Sequence, residues 1–258
     1  MTTFSYAVRD SSTMLRRNLK HMRRYPAMTV MLAGMPVIFL LLFVYVFGGS
    51  LGAGLGGGRT EYLMYVVPGI LLMTVGGAAT GTSVSVATDM TEGIIARFRT
   101  MAIARVSVLT GHVLGSMIQT FVSLGIVLGV ALAVGFRSSA GPAAWLGVAG
   151  VLTMATFAFT WLATALGLVA KTVEEASNTP LPLTLLPFLG SGFVPPESMA
   201  PGLEQFAQHQ PFTPIIETIR SLLTGAPVGG SLWAAVAWCA VIALGGYLWA
   251  RKRYNARG

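Results

Sequence analysis

Long apolar runs alternate with short polar stretches along this chain. Most of the runs have 20 or more residues, which is enough to cross roughly 30 Å of hydrocarbon at 1.5 Å of rise per residue. Their bounds are 27–47, 62–88, 111–135, 143–169, 178–194 and 231–250. This pattern predicts an all-α polytopic membrane protein whose six transmembrane helices form one domain over 27–250.

The fifth run, 178–194, is shorter than the others and contains three prolines, among them Pro182 and Pro187. Proline removes a backbone donor, and its ring clashes with the carbonyl one turn earlier. We therefore expect this span to be kinked, or locally unwound where neighbouring helices satisfy the freed carbonyls. Pro36 and Pro68 are single kink candidates in the first two spans.

Residues 1–26 precede the first apolar run and carry a basic amphipathic pattern. At 100° per residue one face is apolar and the opposite face is basic. The apolar face holds Phe4, Val8, Leu15, Leu19 and Met22, and the basic face holds Arg9, Arg16, Arg17, Lys20, Arg23 and Arg24. The pattern predicts a cytoplasmic interfacial helix that lies on anionic membrane lipid. A disordered basic tail is the alternative.

The interval 89–110 is the substantial charged stretch between two long apolar runs. Thr91 is suited to the N-cap of a short helix, and Glu92 falls in its first turn near the positive end of the helix dipole. One helical face of this segment is apolar and consists of Ile94, Ile95, Phe98, Met101 and Ala102. The pattern predicts an amphipathic helix that contacts a partner protein or lipid headgroups, with a solvated cytoplasmic loop as the alternative.

The segment 195–230, on the other side of the membrane, also has helical spacing. Thr213, followed by a proline, predicts the N-cap of an external helix, and Gly225 predicts its end. The apolar stripe between them is Ile215, Ile216, Ile219, Leu222 and Leu223. Glu217 and Arg220, three residues apart, are expected to form an ion pair on the polar side.

Hydrophobic residues make up 54% of the chain and charged residues 10%, a balance that excludes an ordinary soluble domain. With both termini on one side, 14 basic residues lie on that side and 3 on the other. The positive-inside rule places both termini, including the tail 251–258, in the cytoplasm. Topology thus accounts for the net charge of +8, and no nucleic acid is expected. Arginine outnumbers lysine 14 to 3, which is typical of GC-rich bacterial genomes, so a bacterial plasma membrane is predicted.

The six apolar runs contain no Asp, Glu, Lys or Arg. Ion-coupled carriers usually need an ionisable or densely polar site at mid-membrane, so the energy for any transport must come from elsewhere. The sequence before Lys171 and Thr172 has Ala165 and Ala170 where a phosphate-binding loop needs glycines, so this chain does not bind ATP through that motif. Cys239 is a lone cysteine, so no disulfide within the chain and no cysteine-based metal site is possible. We therefore expect no enzymatic activity, cofactor or metal in this chain.

Three motifs resemble those of a known family. They are EGIIARFR at 92–99, FVPPESM at 193–199, and PFTPIIE at 211–217, which continues into RSLLTG at 220–225. Together with the six spans they make the chain similar to a type-2 ABC exporter permease of the daunorubicin-resistance (DrrB-like) branch. Residues 91–101 are similar to the family's coupling helix, which docks in a groove of the ATPase. Ala96 and Ala102 depart from the residues common in relatives. The charge of the family's coupling helix and the position of its end therefore cannot be assigned to this chain from the resemblance.

The resemblance implies a permease that pairs with a second copy or a paralogue and with separate ABC ATPase subunits, which bind ATP and Mg. It implies ATPase coupling by Glu92, Gly93, Ile94, Ile95, Arg97, Phe98, Arg99 and Met101. The substrate is expected to be small and hydrophobic, drug-like or lipid-like, and to leave the cytoplasm or the inner leaflet. A gate or substrate path between the first and fifth spans is predicted at Pro36, Pro182, Pro187, Phe188 and Phe193.

Three alternatives to drug or lipid export remain open at the level of the sequence. One is export of a lipid-linked glycan, and another is a permease-like regulatory subunit that transports nothing itself. A channel or secondary carrier is the third, and the uncharged spans disfavour it.

Overall fold

The computed structural model describes residues 26–91 and 105–256. Within these two ranges every regular element is helical. The predicted interfacial helix over 1–26, apart from Pro26, lies outside the described residues. The predicted coupling residues, from Glu92 to Met101, lie outside them as well.

Ten α-helices follow one another in the described ranges. They are α1 (Pro26–Leu42), α2 (Gly48–Gly54), α3 (Arg59–Thr91), α4 (Arg105–Val134), α5 (Pro142–Val169), α6 (Val173–Asn178), α7 (Leu181–Leu185), α8 (Leu203–His209), α9 (Phe212–Thr224) and α10 (Ser231–Ala256). A π-helical turn, Phe43–Phe47, joins α1 to α2, and a 3-10 turn, Pro196–Ser198, precedes α8.

Five helical stretches of the described chain are long and apolar enough to cross a membrane. They are Val30–Gly54, Arg59–Thr91, Leu109–Val134, Pro142–Val169 and Ser231–Ala256. They confirm the predicted all-α polytopic class and correspond to five of the six predicted spans. The first span continues through the π-helical turn and α2, beyond its predicted end at 47, and α10 continues into the predicted tail at 251–258.

The fifth predicted transmembrane helix, over 178–194, does not form. After Asn178, the last residue of α6, this stretch contains only α7, of five residues, and turns follow it up to Val194. Bonds from Phe188 N to Leu185 O and from Leu189 N to Leu186 O connect residues three apart, so the chain here is tighter than an α-helix. The expectation of an irregular span is confirmed, and the prolines give its physical reason.

Helix α3 is the central element of the bundle. In its most apolar part 78% of the residues are buried, against 22% in the first span, 28% in α4 and 17% in α10. A helix that is apolar on all sides is suited to this position, since every face meets protein.

The broken segment 178–194 runs alongside α3 at very close range. A Cβ atom added at Gly76 would lie 2.4 Å from the carbonyl oxygen of Leu183, and one at Gly69 would lie 2.4 Å from that of Gly192. Both distances are shorter than real Cβ contacts, so glycine is required on α3 for the segment to approach its backbone.

The broken segment and α6 together cover most of the length of α3. Ala87 of α3 packs with Ala170 and Ala176 at one end, and Tyr62 contacts Phe193 at the other. From Tyr62 to Ala87 the helix rises roughly 37 Å at 1.5 Å per residue. This exceeds the roughly 30 Å of a hydrocarbon core, so α6 and the broken segment together line α3 over a length comparable with that core.

The glycine contacts predict a difference between two substitutions on α3. Gly76→Ala should lower the free energy of unfolding by about 1–3 kcal/mol, because the new methyl group displaces the Leu183 backbone. Gly81→Ala is the matched control, since nothing lies within 4 Å of a Cβ at that position; it should be neutral or slightly stabilising. Thermal unfolding of the purified proteins in detergent measures both. Equal stability of the two variants would contradict the close packing.

Candidate functional site

Two of the predicted gate residues lie in an aromatic cluster between the first span and the broken segment. The Phe188 and Phe193 rings stack with centroids 4.2 Å apart. Phe43 lies 4.6 Å from Phe193, and Phe39 lies 5.3 Å from Phe188. Phe47 adds a ring 5.6 Å from Phe43. We call these five residues the aromatic junction.

The prediction named only the two phenylalanines of the broken segment and missed the three on the first span. Phe39, Phe43 and Phe47 are spaced at i, i+4 and i+8, which places their rings on one helical stripe. That spacing is the signal that would have identified them. Aromatic pairs at these distances contribute about 0.5–1.5 kcal/mol beyond the area that they bury.

The first span changes its helical form at the junction. The chain is α-helical up to Leu42 and π-helical from Phe43 to Phe47. Single π-helical turns inside α-helices occur frequently at functional sites. No feature of the sequence pattern predicts this turn.

The three predicted gate prolines lie in different environments. Pro182 is exposed, whereas Pro36 and Pro187 are buried. The Pro187 carbonyl oxygen lies 2.6 Å from the position that a Cβ of Gly192 would occupy, so Pro187 and Gly192 belong to one tight turn. The structure thus brings Pro187 beside the junction, since Pro187 directly precedes Phe188.

Side chains from neighbouring helices bind the backbone of the broken segment. The Tyr62 hydroxyl donates to the Phe193 carbonyl over 3.1 Å, and Arg220 Nη2 donates to the Ser191 carbonyl over 2.6 Å. The Ser191 N–H donates to the Thr213 hydroxyl over 3.3 Å. These bonds replace helical ones, which backbone groups at membrane depth cannot leave unmade.

Arg220 connects three elements of the structure. Besides the Ser191 carbonyl, its Nη2 reaches the Tyr65 carbonyl over 3.1 Å, and its guanidinium lies 3.8 Å from the centroid of the Tyr65 ring. Its Nη1 donates to Glu217, which confirms the predicted ion pair. The sequence indicated only a surface pair and missed that α9, α3 and the broken segment meet at this guanidinium.

The helix α9 starts two residues earlier than predicted. The helix begins at Phe212, and Pro211 occupies the N-cap position in place of Thr213. The Thr213 hydroxyl instead donates to the Ala207 carbonyl, and Gln210 Oε1 accepts the Phe212 N–H over 3.0 Å. Thr213, which local spacing assigned to the N-cap, is therefore used for hydrogen bonds to other parts of the chain. The predicted end is confirmed, since Gly225 has a φ of 74° in the left-handed region.

Apolar side chains flank the junction on surfaces that no described residue covers. The first span exposes Met31, Met35 and Ile38, and the broken segment exposes Leu185 and Leu189. Exposed apolar residues on a membrane-crossing element contact lipid or another protein. The junction therefore lies at an edge of the bundle that a second membrane component can reach.

The Lys171–Thr172 sequence forms a helix cap. The Thr172 side chain accepts the Glu175 N–H over 3.1 Å, and Glu175 Oε2 accepts the Lys171 N–H over 2.8 Å. This reciprocal arrangement is close to a capping box for α6. Among the described residues no group of three or more His, Cys, Asp or Glu could hold a metal ion.

Comparison with known proteins gives concordant matches. A family model described as ABC-2 type transporter matches residues 10–224. A daunorubicin resistance ABC transporter permease protein from Streptomyces coeruleorubidus is 32% identical over 224 residues, which cover 85% of this chain and 76% of that protein. A probable doxorubicin resistance ABC transporter permease protein from Mycobacterium tuberculosis (strain H37Rv) is 28% identical over 187 residues, 70% of this chain and 65% of that protein.

The contacts of Arg220 predict that lysine cannot replace it. A lysine ammonium lacks the planar fork that reaches two carbonyls, a carboxylate and a ring face together. Each hydrogen bond to the charged group that is lost should lower the free energy of unfolding by roughly 1.5–3 kcal/mol. Arg137→Lys is the matched control, because Arg137 is exposed and bonds only to the nearby Leu132 and Phe136 carbonyls. Thermal unfolding in detergent compares the two, and equal midpoints would refute the linking role of Arg220.

Proposed function

This chain belongs to the ABC-2 type transporter family, and we propose that it exports a hydrophobic drug-like or lipid-like substrate from the cytoplasm or the inner leaflet. It is a multi-pass membrane protein, and permeases of this family are membrane subunits of ABC transporters. The two relatives compared above are named as daunorubicin and doxorubicin resistance permeases. Both names refer to resistance against hydrophobic, planar drugs, which supports the substrate class.

The observation that carries this proposal is the aromatic junction beside an irregular crossing segment. The segment is held by a few side-chain bonds, such as Tyr62 to the Phe193 carbonyl, and has no continuous helical ladder. A few bonds can exchange between two arrangements more readily than a helix can. Stacked phenylalanine rings can open to admit a planar apolar molecule and close behind it. We propose that Phe188 and Phe193, with the turn at Pro187, form the gate.

The energy for export comes, in this proposal, from a separate ABC ATPase subunit that binds ATP and Mg. The charged interval 89–110 contains the coupling residues, and Phe98 supplies the largest apolar contact with that subunit. At about 25 cal/mol per Å² a fully buried aromatic ring contributes roughly 2–3 kcal/mol to such a contact. Glu92 and Arg97 then lie at the wetter rim, where charges contribute less to affinity.

The proposed orientation puts both termini in the cytoplasm of a bacterial cell, in its plasma membrane. The asymmetry of basic residues, 14 against 3, supports this orientation. Residues 1–26 then lie on the lipid of the inner leaflet, the coupling interval 89–110 faces the ATPase, and 195–230 faces outward. The exposed apolar edge at Met31, Met35 and Leu185 supports pairing with a second permease copy or paralogue.

Transport by membrane vesicles tests the proposal. Inverted vesicles that contain the chain and its ATPase should accumulate a fluorescent planar apolar drug when ATP is added outside, and right-side-out vesicles should not. Phe98→Ala should reduce recovery of the ATPase with the permease by one to two powers of ten, since 1.4 kcal/mol is tenfold in affinity. Phe206→Ala, on the exposed external helix α8, is the matched control.

Three outcomes would contradict parts of this account. Hydrolysis of ATP by the assembled complex without any accumulation of drug or lipid would favour the alternative of a regulatory subunit that transports nothing itself. Accumulation only in right-side-out vesicles would indicate the opposite topology, with both termini outside the cytoplasm. Unchanged ATPase recovery with Phe98→Ala would show that the coupling helix lies on lipid and does not dock in the ATPase.

A further inference from the structure

Asp89 and His112 form a buried polar contact at the end of the bundle that adjoins the coupling interval. His112 Nε2 lies 3.0 Å from Asp89 Oδ2. The two residues are 7% and 6% exposed. Among the described Asp, Glu, Lys, Arg and His side chains they are the only ones in the buried class. In the sequence, Asp89 opens the charged interval 89–110, and His112 lies at the start of the apolar run 111–135.

The pair joins α3 and α4, the two helices that the coupling interval connects. Asp89 lies in the last turn of α3, which ends at Thr91, and His112 lies in the second turn of α4, which begins at Arg105. Residues 92–104 connect these two helix ends. The contact therefore closes the base of the loop that contains the predicted coupling residues.

The neighbours of the pair belong to a compact core at this end of the bundle. Val86 flanks Asp89 on α3, and Leu109 and Val113 flank His112 on α4. These residues share a buried cluster with residues of α5 and α10, and its members are Val86, Leu109, Val113, Trp161, Ala165, Leu168, Ala250 and Tyr254. Four membrane-crossing helices thus meet where the loop is attached.

A buried carboxylate is unfavourable unless it is paired and hydrogen-bonded. An apolar pair would pack into this core without that cost. The contact gives in return a fixed distance between the ends of α3 and α4, because a hydrogen bond of this length has a narrow geometry. A buried polar pair that is less favourable for packing than an apolar one, but that fixes the distance between two helix ends, points to a positioning role.

We infer that Asp89 and His112 are positioning residues for energy coupling, which hold the ends of α3 and α4 together so that movement of the coupling interval reaches both helices at once. This inference rests on the proposed function. Without the tie, the interval can move with the ATPase while the helix ends separate and absorb the motion. Hydrolysis then continues, and less substrate is moved for each ATP.

The first test measures substrate transported per ATP hydrolysed in proteoliposomes that contain the chain and its ATPase. Asp89→Ala should lower this ratio by about 3- to 30-fold, the range for residues that modulate coupling between sites, with unchanged recovery of the ATPase. Asp89→Asn keeps an acceptor for His112 and should stay near the wild-type ratio. Ser85→Ala, one turn earlier and exposed, is the control. A wild-type ratio in Asp89→Ala would overturn the inference.

Exchange of the two residues covers the case in which Asp89→Ala fails to assemble. The double variant Asp89→His/His112→Asp should restore a substantial part of the transport ratio that His112→Asp alone loses. A transport ratio in the double variant no higher than in His112→Asp alone would contradict the proposed link between the two residues.

A distance measurement separates failure of this inference from failure of the proposed function. Spin labels at Thr91→Cys and Leu114→Cys, in a Cys239→Ala background, report the separation of the ends of α3 and α4 without any ATPase. The distribution should be narrow in the wild type and in Asp89→Asn, and broad in Asp89→Ala. Equal widths would overturn the positioning role even where transport is absent. Absence of ATP-driven transport in the wild type, with the predicted widths, would instead refute the proposed function alone.

Discussion

The organisation of this protein depends on a single constraint: backbone polar groups at membrane depth need hydrogen-bond partners within the protein. The prolines of 178–194 break the helical ladder and leave carbonyls without helical donors. Tyr62 donates to the Phe193 carbonyl of this segment, and Arg220 donates to the Ser191 carbonyl. The Ser191 N–H is paired as well, because Thr213 accepts it. The apolar stripe of α9, including Ile215 and Ile219, is likewise buried in the core. That helix must lie deep enough for Arg220 to reach the broken segment.

Close approach to α3 is the second consequence of the same break. Helix α3 has glycine at 69 and 76 where the segment touches it, and the segment can therefore lie against backbone as well as side chains. A crossing element that is held by a small number of specific bonds is stable in one arrangement and can change to another. A continuous helix in the same position would be more stable and harder to rearrange. In the proposed gate, this local irregularity lies where the motion is needed.

Much of the architecture could be predicted from the sequence because hydrophobic length and proline chemistry act locally. The apolar runs identified five long helices, the three prolines identified the irregular segment, and the spacing of Glu217 and Arg220 identified their pair. Features that depend on distant residues could not be predicted. Thr213 has the right local context for an N-cap, yet its hydroxyl donates to the Ala207 carbonyl of α8 and accepts the Ser191 N–H of the broken segment. The contact between Asp89 and His112 is likewise set by how two helices meet, and no local pattern encodes it.

The central claim is that the aromatic junction must open during transport, and a reversible lock tests it most directly. Phe39 and Phe188 face each other across the junction, so Phe39→Cys and Phe188→Cys in a Cys239→Ala background can be joined by a short, reducible thiol cross-linker. The account predicts that the cross-linked protein still binds its ATPase subunit but no longer drives ATP-dependent accumulation of drug in inverted vesicles. Reduction of the linker should restore the accumulation. Accumulation at the uncross-linked rate, with the link intact in the whole population, would contradict the account.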